Sequence, residues 1–146
     1  MSTATLNVTT VKADFPLLGR EVNGHPIVYL DSGATSQKPR QVLDALDRYY
    51  EEINANIHRG AYLIAEKATT AVEDSRAALA RFVGASAAEE IVFTKNATES
   101  INLVAHSWGR TNLSEGDVIL LTTLEHHANI VPWQQLAAER GVVIRW

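Results

Sequence analysis

Cysteine is absent from all 146 positions of the sequence. This excludes disulfide bonds, thiolate zinc sites and a thiol nucleophile within these residues. Apolar runs are also short, and none approaches the roughly 18 residues that a membrane-spanning helix needs. The N-terminus, MSTATLNVTTVKADF, lacks the charged and apolar regions of a secretory signal. We therefore expect a cytoplasmic protein that does not act at a membrane.

Basic residues are few and scattered. The chain has 13 Lys and Arg against 17 Asp and Glu, a net charge of −4, and no basic stripe. This balance argues against nucleic acid or anionic lipid as the main partner. A composition of 46% hydrophobic and 21% charged residues is that of a globular protein. The length matches roughly one domain of about 150 residues.

Short apolar runs alternate with amphipathic segments along the chain. The predicted strands are 27–30, 91–93, 118–121 and 142–144. The predicted helices are one capped by Thr9 or Thr10, then 39–53, 62–83 ending at Gly84, 97–108 ending at Gly109, and 130–140. This alternation predicts an α/β fold with a parallel sheet. Both faces of such a sheet need cover, and no predicted helix follows the last strand, so we expect the front part of a longer protein. Residues 1–26 would be an N-terminal segment and 27–146 the first part of a larger, truncated domain.

The stretch TKNATES, residues 94–100, joins a predicted strand to a predicted helix. Unpaired N–H groups at a helix N-terminus attract anions, and Thr98 could add a hydroxyl donor, so a phosphate fits there. An ordinary capped helix explains the same residues, with Asn96 or Thr98 as the cap and Glu99 in the first turn. Taken alone, this motif favours the capped helix.

The stretch TLEHHANIVPW places Glu125, His126 and His127 directly after another predicted strand. Adjacent side chains on extended chain point to opposite sides, and the spacing of HExxH is absent, so we expect no metal site. His127 is predicted to be structural, donating to a backbone carbonyl. His126 is predicted to project into the crevice, where its ring could stack on a planar cofactor and transfer a proton.

Two further motifs could approach a ligand. In NANIHRGAY, the Arg59 guanidinium next to His58 could bind a carboxylate through two hydrogen bonds, although a solvated loop explains the motif equally well. In LDSGATSQKP, the small residues Gly33 and Ala34 would let the backbone come close to a ligand, and a simple tight turn would also account for them.

Together these four motifs, in their order and spacing along the chain, resemble the N-terminal part of group II cysteine desulfurases, the SufS type, in the class V aminotransferase superfamily. The resemblance runs from about Val11 to the end of the chain. It implies the N-terminal part of the fold type I architecture of pyridoxal 5′-phosphate (PLP) enzymes, usually a homodimer. Such enzymes convert L-cysteine to L-alanine and pass the sulfur to an acceptor of the SufE or SufU type for Fe–S cluster assembly.

By position, the resemblance also implies roles for single residues. Ala97 and Thr98 would bind the PLP phosphate, although family members often have Thr where this chain has Ala97. His126 would stack on the pyridine ring and act as the catalytic proton-transfer group. On the substrate side the resemblance implies Ala34, His58 and Arg59.

The family's Schiff-base lysine, the aspartate at the pyridine nitrogen, the substrate-binding arginine and the persulfide cysteine belong to segments beyond this chain. We therefore expect these 146 residues alone to be inactive. One alternative is a selenocysteine lyase or another class V enzyme, and a second is a non-catalytic truncated module. The weakest alternative is a small metal-dependent hydrolase using Glu125, His126 and His127.

Overall fold

The computed structural model describes residues 6–146 of the chain. The chain divides into two compact units, one ending at Ala88 and one spanning Glu89–Trp146. Helices and short strands occur in both.

The first unit begins with helix α1, Val8–Ala13. Its N-cap is Asn7, whose side-chain oxygen accepts a hydrogen bond from the Thr10 N–H at 3.2 Å. The prediction that Thr9 or Thr10 caps this helix was therefore wrong, because an amide oxygen lies one turn earlier and already satisfies an N–H of the first turn. The helix ends before Pro16.

A short antiparallel hairpin follows. Strands β1 (Glu21–Val22) and β2 (His25–Pro26) are joined by Asn23 and Gly24. Both turn residues have positive φ angles, 54° and 76°, which explains why Asn and Gly occupy this turn.

The strand predicted at 27–30 is not formed. The Ile27 N–H extends the hairpin by one hydrogen bond to the Arg20 carbonyl, and the chain then lies in no sheet. Val28 and Leu30 are 79% and 91% exposed. The prediction failed because an apolar run becomes a strand only beside a partner strand, and none pairs with it among residues 6–146. The strand predicted at 91–93 is likewise absent, since that segment has no regular secondary structure.

Two helices complete the first unit. Helix α2, Arg40–Arg48, follows Pro39 and continues into a π-helical turn, Tyr49–Ile53, as the 39–53 prediction required. Helix α3, Leu63–Val83, ends on Gly84 with φ +73°, which confirms the predicted cap.

One face of α3 forms the core of this unit. Ala65 and Ala68 are fully buried and Ala80 is 5% exposed, whereas Phe82 is 87% exposed. Ala80 and Phe82 are separated by about 200° around the helix axis, so only one of them can face the core.

The second unit contains the parallel sheet. Strands β3 (Val118–Leu120) and β4 (Val143–Arg145) pair in parallel, with Ile119 opposite Ile144. Helix α6, Val131–Arg140, connects them. This βαβ arrangement confirms the predicted α/β character and the predicted positions of both strands and of the helix between them.

Helix α4, Ala97–Val104, runs through a π-helical turn, Ala105–Gly109, into a short helix α5, Arg110–Asn112. Gly109 was predicted to end the helix, but it is buried and helical, with φ −60°. A Cβ at Gly109 would lie 2.8 Å from Leu136 Cδ2. Glycine is therefore needed here for close packing against α6, and the expected cap was wrong.

Candidate functional site

The site forms where β3 ends and α4 begins. Thr98 and His126, predicted from separate motifs, line one concavity of about 310 Å³ in the second unit. The loop carrying His126 leaves the carboxyl end of β3, the end at which parallel sheets bind ligands. The other lining residues are Asn102, His127, Ala128, Val131, Pro132 and Gln135.

The N-terminus of α4 is capped, yet some of its backbone N–H groups remain available to bind an anion. The Asn96 side chain accepts from the Glu99 N–H at 2.9 Å, so the capped-helix explanation of this motif is correct. Ser100 N–H donates to the Asn96 carbonyl at 3.2 Å. The N–H groups of Ala97 and Thr98 find no acceptor among residues 6–146. The cap and an anion site are therefore compatible, because they use different N–H groups.

The charge near this helix end is balanced. Glu99 Oε2 accepts from the Lys95 N–H at 2.7 Å, and Lys95 Nζ lies 3.8 Å from Glu99 Oε1. The carboxylate thus turns back toward residue 95. Its ammonium partner offsets the repulsion that it would exert on an anion at the helix N-terminus.

The His126 ring is held by the backbone. Its Nδ1 accepts the Ala128 N–H at 3.1 Å, which makes His126 the N-cap of a one-turn 3₁₀ helix, His127–Asn129. A neutral imidazole that accepts at Nδ1 carries its proton on Nε2. The exposed ring therefore presents an N–H donor at Nε2.

His127 does not have the structural role that was predicted for it. Its ring meets the His126 ring edge to face, with centroids 6.1 Å apart, and it donates to no backbone carbonyl within the described part of the chain. The prediction was wrong because the cap position of the turn falls on His126, so that ring takes the backbone contact.

A chain of polar side chains runs behind the two histidines. Glu125 Oε1 accepts from Thr122 Oγ1 at 2.9 Å, and Oε2 accepts from Asn129 Nδ2 at 3.0 Å. Asn129 Oδ1 accepts from Trp133 Nε1 at 2.9 Å. The hydrogen bond from Asn129, followed by that from Thr122, holds the pKa of the Glu125 carboxyl below its ordinary value of 4.5.

From the sequence, Glu125 was predicted only as a possible metal ligand. The signal for its actual contacts was the four-residue spacing of Glu125, Asn129 and Trp133, which places successive polar groups on one side of a helical segment. Among residues 6–146, no three His, Asp or Glu side chains are grouped to hold a metal ion.

The three residues predicted on the substrate side lie in the first unit. Ala34 is exposed, and its N–H donates to the Asp31 carbonyl at 3.2 Å, as the tight-turn explanation required. Arg59 is exposed, next to His58. His58 lines a concavity of about 490 Å³ that also includes Tyr62 and Glu66.

His58 is held in an unusual backbone conformation. Its φ is +62°, a region that costs a residue with a side chain about 1 kcal/mol or more. The His58 N–H donates to Thr69 Oγ1 at 3.0 Å, and Nε2 lies 3.4 Å from Glu73 Oε1. Both contacts tie the loop before α3 to that helix and keep the imidazole at the concavity.

Within residues 6–146, no helix combines the length and the apolar character that crossing a bilayer would require.

Comparison with known proteins places these features in a family. The family model described as "Aminotransferase class-V" matches residues 28–146. The "Probable cysteine desulfurase" of Synechocystis sp. is 56% identical over 137 residues, covering 94% of this chain and 33% of that protein. The "Cysteine desulfurase" of Synechococcus elongatus is 52% identical over 139 residues, covering 95% of this chain and 22% of that protein.

A solved structure shows the same fold. The apo structure of the cysteine desulfurase from Thermococcus onnurineus NA1 has a TM-score of 0.82 and 41% identity, covering 95% of this chain and 33% of that chain. This likeness confirms the predicted architecture, the N-terminal part of a fold type I enzyme. The chain spans about a third of the length of that protein and of the Synechocystis relative.

Proposed function

Because the chain belongs to the class V aminotransferase family, which matches residues 28–146, we propose that it is the N-terminal part of a PLP-dependent cysteine desulfurase of the SufS type. The identities to cysteine desulfurases support this proposal. In it, residues 1–26 are an N-terminal segment and residues 27–146 begin the large PLP-binding domain.

One observation carries the proposal. Thr98, at the N-terminus of α4, and His126, at the end of β3, line the same concavity. The Ala97 and Thr98 N–H groups and the Thr98 hydroxyl suit a phosphate, and the flat His126 ring suits the face of a pyridine. The residues present therefore fit PLP, with Ala97 and Thr98 holding its phosphate and His126 its ring.

His126 is also the proposed catalytic residue. When bound, PLP supplies an electron sink for breaking bonds of an amino acid substrate. The protein supplies orientation and proton transfer. A neutral imidazole held at Nδ1 by the Ala128 N–H presents its Nε2–H as a hydrogen-bond donor, and the ring stays neutral after giving up that proton only if Nδ1 takes one in exchange.

We assign the substrate side to Ala34, His58 and Arg59. The Arg59 guanidinium adds a positive charge for the carboxylate of an amino acid such as L-cysteine, beside the substrate-binding arginine that the resemblance places beyond these residues. The reaction proposed for the whole protein yields L-alanine and passes the sulfur, as a cysteine persulfide, to an acceptor of the SufE or SufU type for Fe–S cluster assembly. We place this protein in the cytoplasm as a homodimer.

The sulfur-carrying residue is not in these 146 residues, because they contain no cysteine. We propose that this segment alone therefore binds and orients groups but does not turn over cysteine.

The phosphate site can be tested by comparing PLP with pyridoxal, which lacks the phosphate. Proline is tolerated at the first position of a helix but has no N–H, so Ala97→Pro removes one donor and leaves the fold intact. Ala97→Ser is the matched control, because it keeps the N–H. In the intact protein, we expect Ala97→Pro to weaken PLP binding by about ten-fold, the effect of losing a hydrogen bond to a charged group.

Pyridoxal binding should stay within about two-fold of the unsubstituted protein in both variants, because pyridoxal has no phosphate for the lost donor to bind. If Ala97→Pro weakened PLP and pyridoxal binding equally, or neither, the proposed phosphate site would be wrong.

Alanine release from L-cysteine, compared with that from L-selenocysteine, then tests the substrate. A preference for L-selenocysteine would replace the desulfurase assignment with that of a selenocysteine lyase.

A further inference from the structure

We propose that Glu125, Asn129 and Trp133 are positioning residues that hold the His126 imidazole with its proton on Nε2. This inference rests on the proposed function, because it concerns how His126 is kept ready for its role there. Each residue is linked to the next by a side-chain hydrogen bond.

The orientation of the His126 ring depends on one short turn. The ring is oriented by the Ala128 N–H at Nδ1, and Ala128 lies within the 3₁₀ turn His127–Asn129. Two backbone hydrogen bonds define this turn, Asn129 N–H to the His126 carbonyl at 2.8 Å and Ile130 N–H to the His127 carbonyl at 3.0 Å. A single 3₁₀ turn is weak by itself, so the ring needs further support.

Glu125 supplies that support from both sides of the histidine. Its carboxylate accepts from Thr122, just after β3, and from Asn129, at the end of the turn. One side chain therefore closes the loop 122–129 around His126. An ionised carboxylate only accepts hydrogen bonds, so both contacts have a fixed direction.

Trp133 fixes the Asn129 amide. Because the indole N–H can only donate, it must meet Asn129 Oδ1, and the NH₂ group then faces Glu125. Trp133 lies on α6, whose Leu136 is 3% exposed. A Cβ at Gly109 would lie 3.7 Å from Trp133 Cζ3, so the indole also packs beside the preceding helical segment. The loop is thus anchored to a packed helix.

The test uses two conservative variants, Trp133→Phe and Glu125→Gln. Trp133→Phe removes the indole N–H and keeps an aromatic ring, and Glu125→Gln replaces one acceptor oxygen with a donor. The matched controls are Trp108→Phe and Glu115→Gln, because neither side chain forms a hydrogen bond within the described part of the chain. Trp108 is 55% exposed.

Two measurements on the intact protein report the His126 geometry. Long-range ¹H–¹⁵N spectra, recorded about two pH units above the ordinary imidazole pKa of about 6.5, show which nitrogen carries the proton. Amide hydrogen exchange reports the Ala128 N–H. We expect a single Nε2–H form in the unsubstituted protein and in both controls. Trp133→Phe and Glu125→Gln should give a mixture of the two neutral forms and at least about ten-fold faster Ala128 exchange.

Neither measurement needs the cofactor, so the two proposals fail separately. An unchanged His126 spectrum and unchanged Ala128 exchange in Glu125→Gln and Trp133→Phe, with both variants folded by circular dichroism, would overturn the positioning role. If Trp133→Phe unfolds, Thr122→Val tests the same loop from its other end, and the same two readouts decide. An Ala97→Pro substitution that weakened PLP and pyridoxal binding equally, or neither, would instead overturn the proposed phosphate site.

Discussion

The Glu125 carboxylate and the Asn129 amide, four residues apart and 3.0 Å from each other, close the loop that presents His126. The contact spans the turn His127–Asn129, so the acid next to the histidine does not face the concavity as a ligand. The Glu125 carboxylate instead stabilises the backbone of the loop that carries His126. This relationship makes the stability of the loop sensitive to pH and to substitutions of residues near His126 in the sequence, such as Glu125 and Thr122.

Glu125→Gln should change the dependence of stability on acid pH. The pKa of Glu125 is lowered on folding, so its contribution is present above the ordinary value of 4.5 and is lost as pH falls through the folded value. The difference in unfolding free energy between the unsubstituted protein and Glu125→Gln should therefore be largest above pH 4.5 and should shrink below it.

Urea unfolding at a series of pH values measures this difference. Thr122→Val provides a graded comparison, because it removes one of the two donors and keeps the carboxylate; its pH dependence should fall between the other two. A difference that stays constant as pH falls from neutral through the acid range would contradict the assigned cause of the pKa shift.

Gly60→Ala should destabilise the first unit. A Cβ at Gly60 would overlap the Cβ of Ala65 and lie 2.9 Å from a Tyr62 ring atom. Ala65 is fully buried and its Cβ is attached directly to the α3 backbone, so it cannot move aside. Overpacking of this kind costs about 1–3 kcal/mol. The midpoint of thermal or urea unfolding reports the loss.

Gly33→Ala is the control for Gly60→Ala, because a Cβ at Gly33 would meet no atom within 4 Å. It should leave the unfolding midpoint nearly unchanged. Equal effects of the two substitutions would show that the close approach of residue 60 to α3 does not limit stability.

Asn96→Ala should weaken helix α4 by about 1 kcal/mol, the usual effect of losing an N-cap. The Asn96 side chain is the acceptor for the Glu99 N–H at 2.9 Å, and alanine offers none. Asn96→Asp keeps an acceptor oxygen at the same position and should restore most of the loss. Urea unfolding of the three proteins compares them, and a failure of Asp to rescue would argue that the side chain acts other than as a cap.

Ala97→Thr should strengthen the proposed phosphate site. It keeps the N–H at the first position of α4 and adds a hydroxyl donor beside that of Thr98. One additional hydrogen bond to a charged group corresponds to about ten-fold tighter PLP binding. Fluorescence titration with PLP and with pyridoxal measures the effect. An equal gain for both compounds would indicate that the hydroxyl acts away from the phosphate.

Several features of this chain were determined by local sequence. The cap of α3 at Gly84, the turn at Asn23 and Gly24 and the strand Val118–Leu120 all follow from residue type and spacing within a few positions. The four motifs likewise predicted the family and the α/β fold, because their order and separation are properties of the sequence. The resemblance implied that Thr98 and His126 share a cofactor site, and both line one concavity.

Other features depend on the tertiary structure, mainly on contacts between residues that are remote in the sequence. The apolar run at 27–30 has the composition of a strand, but strand formation depends on a partner that is remote in sequence. Gly109 has the position of a helix cap, and only the approach of Leu136 makes it a packing residue. His126 and His127 are chemically alike, and the fold of one turn selects which ring accepts the Ala128 N–H. Short-range patterns specify turns and helices, whereas pairing, close packing and the choice between equivalent side chains require the folded chain.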